Sequence, residues 1–143
     1  MEKFEILDEL SIHGLKELME NDDKVFDIEI LKDFIRTSGA YGFIYLLDNK
    51  PIGLAYACRL ARPDGKIEMY LHSIDILPQY QNKGYGTRFL QNILNYANTK
   101  GFCNLFLCSS KSLHNACHVY EKLGGKRECE DEIIFDYPFY EDN

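Results

Sequence analysis

The stretch that decides the fold joins an apolar strand to a helix through a glycine-containing loop. It reads Ile74-Asp75-Ile76-Leu77-Pro78, then Gln81-Asn82-Lys83-Gly84-Tyr85-Gly86, and a periodic helical segment follows. Gly84 and Gly86 let the backbone approach an anion closely, and the first N–H groups of the helix point at that anion with the positive end of the helix dipole behind them. The stretch therefore predicts a site for a pyrophosphate-bearing ligand.

The positions of the glycines narrow the choice of ligand. A dinucleotide-binding loop has a third glycine where the helix packs on the sheet, and Phe89 occupies that position. A loop for a nucleoside triphosphate has Gly-Lys followed by Ser or Thr at the start of the helix, whereas here Lys83 precedes Gly84. NAD, FAD, ATP and GTP are therefore disfavoured.

The same stretch resembles the coenzyme A loop of the GNAT N-acetyltransferase superfamily, which has Gln/Arg-x-x-Gly-x-Gly/Ala after a strand that ends near a proline. Gln81, Gly84, Gly86 and Pro78 match that pattern. The resemblance implies that acetyl-CoA binds as a co-substrate and that no metal is needed. The residues that it assigns to coenzyme A binding are Ile74, Asp75, Ile76, Gln81, Asn82, Lys83, Gly84, Tyr85, Gly86, Thr87 and Asn115.

A second motif strengthens the resemblance. The later helix of the superfamily carries an Ala, then a Tyr, then Glu-Lys-Leu-Gly, and residues 116–124 read Ala-Cys-His-Val-Tyr-Glu-Lys-Leu-Gly. The asparagine often found seven residues before the tyrosine is Leu113 here, while Asn115 lies two positions later. Two motifs in the expected order are more specific than either alone, and together the resemblance spans roughly residues 42–137.

Acetyl transfer from a thioester to an amine needs a base for the ammonium, a donor to the developing oxyanion and an acid for the leaving thiolate. The resemblance implies that the phenol of Tyr120 is the acid, because an ordinary pKa of about 10 keeps it protonated at pH 7. It also implies that the backbone N–H of Ile76 stabilises the oxyanion. The alternative for Tyr120 is a packing role on a buried helix face.

The strand before the loop supplies the candidates for the base. Because alternate residues of a regular strand share one face, we expect Glu68, Tyr70 and His72 to line one side of the cleft. Asp75 is expected to face the other side. His72 is the first choice, because a pKa near 6.5 leaves it mostly neutral and because its register resembles that of the base in arylalkylamine acetyltransferases. Glu68 is the second choice, and a water relay or a merely structural His72 stays open.

Composition limits the partners. The chain has 143 residues, 27% of them charged, and a formal net charge of −7, and this length predicts one domain over residues 1–143. The resemblance implies that this domain is acetyltransferase-like. The acidic balance disfavours nucleic acid and favours a small cationic amine. No apolar run approaches the ~20 residues of a membrane span and no secretory signal is recognisable, so we expect a cytoplasmic protein without a membrane partner. The oligomeric state stays open between a monomer and a homodimer.

The cysteines and histidines give weaker signals. Five cysteines without a Cys-x-x-Cys pair predict reduced core residues instead of a disulfide framework. They are Cys58, Cys103, Cys108, Cys117 and Cys129. His114 and His118 lie at helical i, i+4 spacing, which is compatible with zinc but lacks the catalytic Glu of a zinc-protease helix. We therefore expect no metal site.

Hydrophobic periodicity and turn residues predict the order of the elements. The expected strands cover residues 3–7, 42–48, 52–61, 66–77, 102–108 and 132–139, and the expected helices follow Ser11, Asp27, Gly84 and residue 111. Small residues on one face of strand 52–61 leave room for close packing. Together with the resemblance, this order predicts a mixed α/β fold, with a mostly antiparallel sheet of about six to seven strands flanked by about four helices.

The sequence therefore predicts an N-acetyltransferase that passes acetyl directly from acetyl-CoA to a primary amine. Within the superfamily, residues 68–84, residues 119–124 and the tail 134–136 look most like aminoglycoside 3-N-acetyltransferases of the type I group, although the aspartate expected in the strand is Ser73 here. That resemblance implies a polycationic amino sugar as the substrate. The alternatives are a protein, peptide or polyamine N-acetyltransferase, and a non-catalytic acyl-CoA sensor.

Overall fold

A computed structural model describes residues 1–128 and 131–139. Its elements, in chain order, are β1 (Glu2–Ile6), α1 (Lys16–Asn21), α2 (Ile28–Arg36), β2 (Ala40–Leu47), β3 (Lys50–Ala61), β4 (Ile67–Ile76), α3 (Tyr85–Thr99), β5 (Asn104–Phe106) and α4 (His114–Lys122). A 3₁₀ turn, Ser11–Gly14, precedes α1, and a second one, Pro78–Tyr80, follows β4. The order of the elements up to α4 is the order that the sequence predicts.

The strands form one sheet in the order β1-β2-β3-β4-β5. Strands β1 to β4 pair antiparallel in succession, whereas β5 runs parallel to β4. The mixed α/β class and the mostly antiparallel sheet are thus confirmed. The described residues contain five strands, fewer than the predicted six to seven.

The hairpin between β2 and β3 forms where the turn composition predicts it. Asp48 and Asn49 both adopt left-handed backbone conformations, with φ of 48° and 68°. Two successive residues with positive φ are typical of the tight turn whose twist matches that of the flanking strands, and Asp and Asn tolerate this conformation better than most residues. The hairpin therefore sets how β2 pairs with β3, the central strand of the sheet.

The starts of the two N-terminal helices differ in how well the sequence predicts them. The Asp27 side chain accepts hydrogen bonds from the backbone N–H groups of Glu29 (2.9 Å) and Ile30 (3.2 Å), which confirms it as the cap of α2. Ser11 is not the cap of a continuous helix. Instead, the carboxylate of Asp8 accepts from the N–H of Ser11 at 2.8 Å and a 3₁₀ turn intervenes before α1, because the aspartate competes successfully for the same orphan donors.

Helix α3 covers one face of the sheet and packs against its small residues. Its buried side chains include Phe89 and Ile93, and they lie on the face of β3 that carries Gly53, Ala55 and Ala57. A Cβ at Gly53 would lie 3.1 Å from the Phe89 ring and 2.8 Å from the Cδ1 atom of Ile76. The small face of β3 therefore lets α3 approach the sheet closely, as the sequence predicts.

Helices α1 and α2 cover the opposite face of the sheet. Their buried residues Leu18 and Leu31 pack with Ile44 of β2 and Leu77, which follows β4. The sheet is therefore sandwiched between two apolar layers. None of the helices in the described part of the chain has the length and hydropathy needed to cross a bilayer.

The C-terminal part of the chain departs from the prediction. Strand β5 has three residues instead of the predicted seven, and residues 132–139 form no strand. Among them Ile133, Ile134, Phe135, Tyr137 and Phe139 are exposed. Their composition favours a strand, but β-propensity becomes structure only when a neighbouring strand is available to pair with, and no strand of the described sheet pairs with them.

The prediction that the cysteines fill the core is wrong for the described residues. Cys103 and Cys108 are exposed, whereas Cys58 and Cys117 are half-buried, and all four are free thiols. Cys129 lies outside the described residues. The core is built instead from aliphatic and aromatic side chains, which bury more apolar area than a thiol does.

Replacing Gly53 tests the close approach of α3. We expect Gly53→Val to lower the free energy of unfolding by about 1–3 kcal/mol, because the added carbons overlap Phe89 and Ile76 in a filled core. Ala61→Val, at the exposed end of the same strand, is the matched control and should change it by less than about 0.5 kcal/mol. Urea unfolding of both variants measures the difference, and equal values would contradict the packing described here.

Candidate functional site

The loop before α3 has the backbone geometry of an anion site. Gly84, with φ of 88°, is the N-terminal cap of α3 in a left-handed conformation, and Asn82 is also left-handed. No side chain caps the helix and its first turn holds no acidic residue. A Cβ at Gly86 would meet only Ile76, at an ordinary 3.7 Å, so the protein itself does not require a glycine there. The first N–H groups of α3 are thus left available to an anion.

A side-chain hydrogen bond fastens this loop to the end of β4. The amide nitrogen of Gln81 donates to the carbonyl oxygen of Ile76 at 2.8 Å. Leu77, the next residue, donates its N–H to the carbonyl of Ile52 on β3 at 2.8 Å. The loop and the end of β4 therefore form one unit that is anchored in the middle of the sheet.

Strands β4 and β5 separate beside this unit. Their parallel pairing comprises Glu68 with Asn104, Met69 with Leu105 and Tyr70 with Phe106. Strand β4 continues to Ile76, six residues beyond Tyr70, with no partner on that side among the described residues. The edge of β4 next to the loop therefore lines an opening in the sheet instead of a continuous ladder.

An extra residue in β4 resets which side chains face that opening. Tyr56 of β3 lies opposite Ser73, and the next residue, Ala57, lies opposite Leu71, so His72 has no counterpart on β3. Such a β-bulge shifts the alternation of side chains by one residue. The regular strand assumed from the sequence is therefore interrupted at His72.

The bulge corrects the predicted position of Asp75. Asp75 lies opposite Leu54, which packs in the layer of α1 and α2, whereas Ile74 lies opposite Ala55 in the core under α3. Opposite residues of an antiparallel pair share a face. Asp75 therefore lies on the same face as His72, not on the opposite one, and Ile74 turns to the α3 side.

An aromatic row covers this face of the sheet. The His72 ring stacks on Tyr56 (centroids 5.1 Å apart) and meets the edge of Tyr70 at 5.5 Å, and Tyr70 stacks on Phe106 at 5.1 Å. Phe34 of α2 closes the row with an edge contact to Tyr56. The sequence analysis missed Tyr56, whose signal is its place on the large-residue face of β3, directly opposite the bulge.

Asp75 lies on this face one residue before Ile76, to whose carbonyl the loop is fastened. Neighbouring protein atoms displace enough water, although part of the residue stays exposed, to raise its pKa above the ordinary 3.8, and the negative charge of Asp22 raises the pKa further. The Ser73 hydroxyl donates to its carboxylate at 3.2 Å and partly offsets this rise in pKa. The strand thus supplies a carboxylate even though Ser73 replaces the expected aspartate.

Tyr120 on α4 lies near enough to Asp75 to feel its charge. Burial raises the pKa of the Tyr120 phenol above 10, and Cys117 and Asp75 contribute in the same direction, so the phenol is protonated at neutral pH. The end of α4 is fixed by Gly125, whose N–H donates to the Tyr120 carbonyl at 2.9 Å and whose Cβ, if present, would lie 2.8 Å from that oxygen. Tyr120 therefore lies within electrostatic range of Asp75.

The structure places the other predicted residues at different distances from the opening. Glu68 lies at the far end of β4, about 23 Å of strand from Asp75 at ~3.3 Å per residue, and its carboxylate is 3.9 Å from Arg62. Asn115 lies in the first turn of α4. It lines a cavity of about 440 Å³ together with Ser112, Leu113, His114 and Ala116.

The two histidines of the weak zinc pattern do not form part of a metal cluster. His114 and His118 are both exposed on α4. Within residues 1–128 and 131–139, no group of three or more His, Cys, Asp or Glu side chains is arranged to hold a metal ion.

Comparison with known proteins agrees with the two sequence motifs. The family model described as "Acetyltransferase (GNAT) family" matches residues 7–125, which include the loop, β4 and α4. The chain therefore belongs to the acetyltransferase (GNAT) family.

Two curated relatives differ in the acceptor that their names imply. The chain is 28% identical to streptothricin acetyltransferase A of Bacillus subtilis (strain 168) over 89 residues, 62% of this chain and 49% of that protein. It is 25% identical to N-alpha-acetyltransferase 50 of Danio rerio over 123 residues, 82% of this chain and 72% of that protein. The chain thus spans about half the length of the first relative and somewhat more of the second.

Solved structures show the same fold at low identity. An aminoglycoside acetyltransferase from an uncultured soil metagenomic sample, in complex with sisomicin, superposes with a TM-score of 0.78 at 20% identity, covering 98% of this chain and 97% of that chain. An aminoglycoside N-acetyltransferase in complex with CoA gives 0.74 at 17% identity, covering 98% and 96%. These likenesses confirm the fold.

The coupling between Asp75 and Asp22 can be measured by carbon-detected NMR titration. We expect Asp22→Asn to lower the pKa of Asp75, because a repelling charge is removed, and Ser73→Ala to raise it, because a hydrogen bond to the carboxylate is lost. Asp23→Asn, which removes the same charge one residue away, is the control, since Asp23 is not among the groups that shift Asp75. A larger effect of Asp23→Asn would contradict this arrangement.

The raised pKa of Asp75 also determines how its contribution to the free energy of unfolding changes with pH. A raised carboxyl pKa means that the folded protein binds the proton more tightly than the unfolded chain does. The contribution of Asp75 to the free energy of unfolding is therefore fully present at a pH below its ordinary pKa of 3.8. It is lost as the pH rises through the pKa of Asp75 in the folded protein.

Proposed function

We propose that this chain transfers acetyl from acetyl-CoA directly to a primary amine, and that the acceptor is a small polycation of the aminoglycoside type. The observation that carries the proposal is the anion loop before α3 together with the open edge of β4 next to it, on a strand whose Asp75 carboxylate is near enough to Tyr120 to raise its pKa. A diphosphate, a thioester and an amine each find a group of matching chemistry there. Membership of the acetyltransferase family supports the same reading.

The loop is proposed to hold the diphosphate of acetyl-CoA. The backbone N–H groups of Tyr85, Gly86 and Thr87 begin α3 without a capping side chain, and the dipole of a 15-residue helix lies behind them. Gln81 holds this end of the loop against Ile76. The thioester then lies along the open edge of β4, where the N–H of Ile76 is proposed to donate to the developing oxyanion.

Tyr120 is proposed to protonate the departing thiolate. Its phenol stays protonated because burial and two neighbouring groups raise its pKa. A donor that keeps its proton at neutral pH and faces a thiolate fulfils the requirement for a general acid. No acyl-enzyme is needed, because the amine attacks the thioester carbon directly while Tyr120 supplies the proton to sulfur.

Asp75 is proposed to bind the ammonium and accept its proton. An amine must lose a proton before it attacks, and a carboxylate with a raised pKa is a stronger base than an ordinary one. His72, the base favoured by the sequence, lies three residues farther from the loop. There it stacks on Tyr56 and makes an edge contact with Tyr70, where it is better placed to contact the body of the acceptor. A base role for His72 is the alternative.

Charge and shape support a cationic acceptor. Asp22 and Asp75 give the face of β4 a negative potential, and the aromatic row beside them offers π faces that attract cations. The names of the streptothricin relative and of two aligned structures agree with an amine-bearing antibiotic. A peptide N-terminus is the rival acceptor, favoured by the N-alpha-acetyltransferase 50 relative.

Binding and turnover together test the proposed function. Titration calorimetry should detect acetyl-CoA binding, and a panel of an aminoglycoside, a polyamine and a peptide should show thiol release with the aminoglycoside first. Tyr120→Phe should leave the acetyl-CoA dissociation constant within about twofold and lower kcat by about 10²-fold or more, because only the acid is removed. Binding without turnover of any amine would favour the sensor reading, and turnover of peptides alone would overturn the acceptor class.

The pH profile identifies the base. If Asp75 accepts the proton, kcat/KM rises with pH through the raised pKa of Asp75, Asp75→Asn removes that limb, and Asp22→Asn moves it to lower pH. His72→Gln should keep the limb and change mainly KM for the amine. A profile that loses its acid limb in His72→Gln and keeps it in Asp75→Asn would assign the base to His72 instead.

A further inference from the structure

Arg88, in the first turns of α3, lies directly against the anion loop. A Cβ at Gly84 would be 2.6 Å from the Nη1 atom of Arg88, so the guanidinium lies where a side chain at Gly84 would be. The guanidinium also lies over the Tyr85 ring, 5.2 Å from its centroid. Tyr85 and Gly84 thus define the position of a fixed positive charge next to the first N–H groups of the helix.

Residues of β1 and β2, on the face of the sheet that α3 covers, hold that guanidinium. Its Nε atom donates to the carboxylate of Glu2 on β1 at 2.7 Å, and the hydroxyl of Tyr45 on β2 donates to the same oxygen at 2.6 Å. The Tyr45 ring is itself stacked on Phe89 in the core, with centroids 5.1 Å apart. The anchor therefore consists of a buried ring, a carboxylate and the Nε edge of the guanidinium.

A cation in this position is unfavourable for α3 alone. The N-terminus of a helix carries partial positive charge, which repels a guanidinium and attracts an anion. Glu2 offsets that repulsion in the free protein. A guanidinium has two hydrogen-bonding edges, and when Glu2 occupies the Nε edge the Nη groups on the side of Gly84 are directed to the loop.

We propose that Arg88 contributes a side-chain contact to the diphosphate of acetyl-CoA, and that Glu2 and Tyr45 are positioning residues that aim its Nη edge at the loop. This inference rests on the proposed function and adds three residues that the loop pattern does not contain. Backbone N–H groups supply the geometry of the anion site, and Arg88 supplies its charge. The sequence gives no hint of this role, since Glu2 and Arg88 are separated by 86 residues.

Calorimetry with acetyl-CoA and with acetyl-dephospho-CoA, which keeps the diphosphate and lacks the 3′-phosphate, tests the contact. Arg88→Met should raise the dissociation constant about tenfold or more for both ligands, because a charge-assisted hydrogen bond is lost. Arg88→Lys should recover only part of the affinity, since it keeps the charge without the fork. The control Lys100→Met removes one charge from the other end of α3 and should change the dissociation constant for acetyl-CoA less than about twofold.

Two further variants separate positioning from folding. Glu2→Gln should raise the dissociation constant several-fold at unchanged kcat. The double variant Glu2→Arg with Arg88→Glu exchanges the two charges and should raise the thermal unfolding temperature above that of either single variant. It should bind acetyl-CoA more weakly than Arg88→Met does, because a carboxylate then faces the loop. If the exchange variant binds acetyl-CoA as tightly as the parent chain does, the ion pair between Glu2 and Arg88 only stabilises the fold and does not contribute to binding.

The outcomes that overturn the inference are distinct from failure of the proposed function. If the parent chain binds acetyl-CoA and Arg88→Met binds it equally well, the contact does not exist. An effect confined to acetyl-CoA would assign Arg88 to the 3′-phosphate, and tighter binding by Glu2→Gln would make Glu2 a competitor for Arg88. If the parent chain binds no acetyl-CoA, the proposed function itself fails.

Discussion

The register between β3 and β4 is the constraint on which the site depends. Because His72 has no counterpart on β3, every residue after it in β4 is displaced by one position relative to a regular strand. That displacement puts Asp75 on the face of the aromatic row and sends Ile74 into the core. Hydrogen bonding alone would tolerate a regular ladder, but the apolar residues on each side of the bulge are matched to opposite layers of the sandwich.

The opening between β4 and β5 follows from the way in which α3 is packed. Gly53 lets Phe89 approach the sheet, and the chain then leaves β4 through a loop fastened by Gln81 and enters α3 with its N-terminus directed at the open edge. The short β5 cannot close that edge, since it pairs with only the first part of β4. The anion loop and the open edge of β4 are thus consequences of one strand–loop–helix connection.

The sequence reveals the parts of this arrangement that depend on local chemistry. Gly84, the Asp27 cap and the small face of β3 can be read from residue type and spacing, because each reflects a backbone or volume requirement of its own position. The bulge at His72 cannot be read in this way, since it is decided by the match between two strands. The segment 132–139 shows the converse: its β-propensity is strong, yet it pairs with no strand of the described sheet.

The anchor formed by Tyr45, Glu2 and Arg88 and the carboxylate of Asp75 respond differently to a change in pH. Burial and the bond to Glu2 raise its pKa to about 12, while the contact with Arg88 lowers the pKa of Glu2. Phenol, carboxylate and guanidinium therefore all keep one protonation state from mildly acidic to strongly alkaline solution. At the opposite end the pKa of the Asp75 carboxyl is raised instead, so a rise in acidity would act on the proposed acceptor site and leave this anchor unchanged.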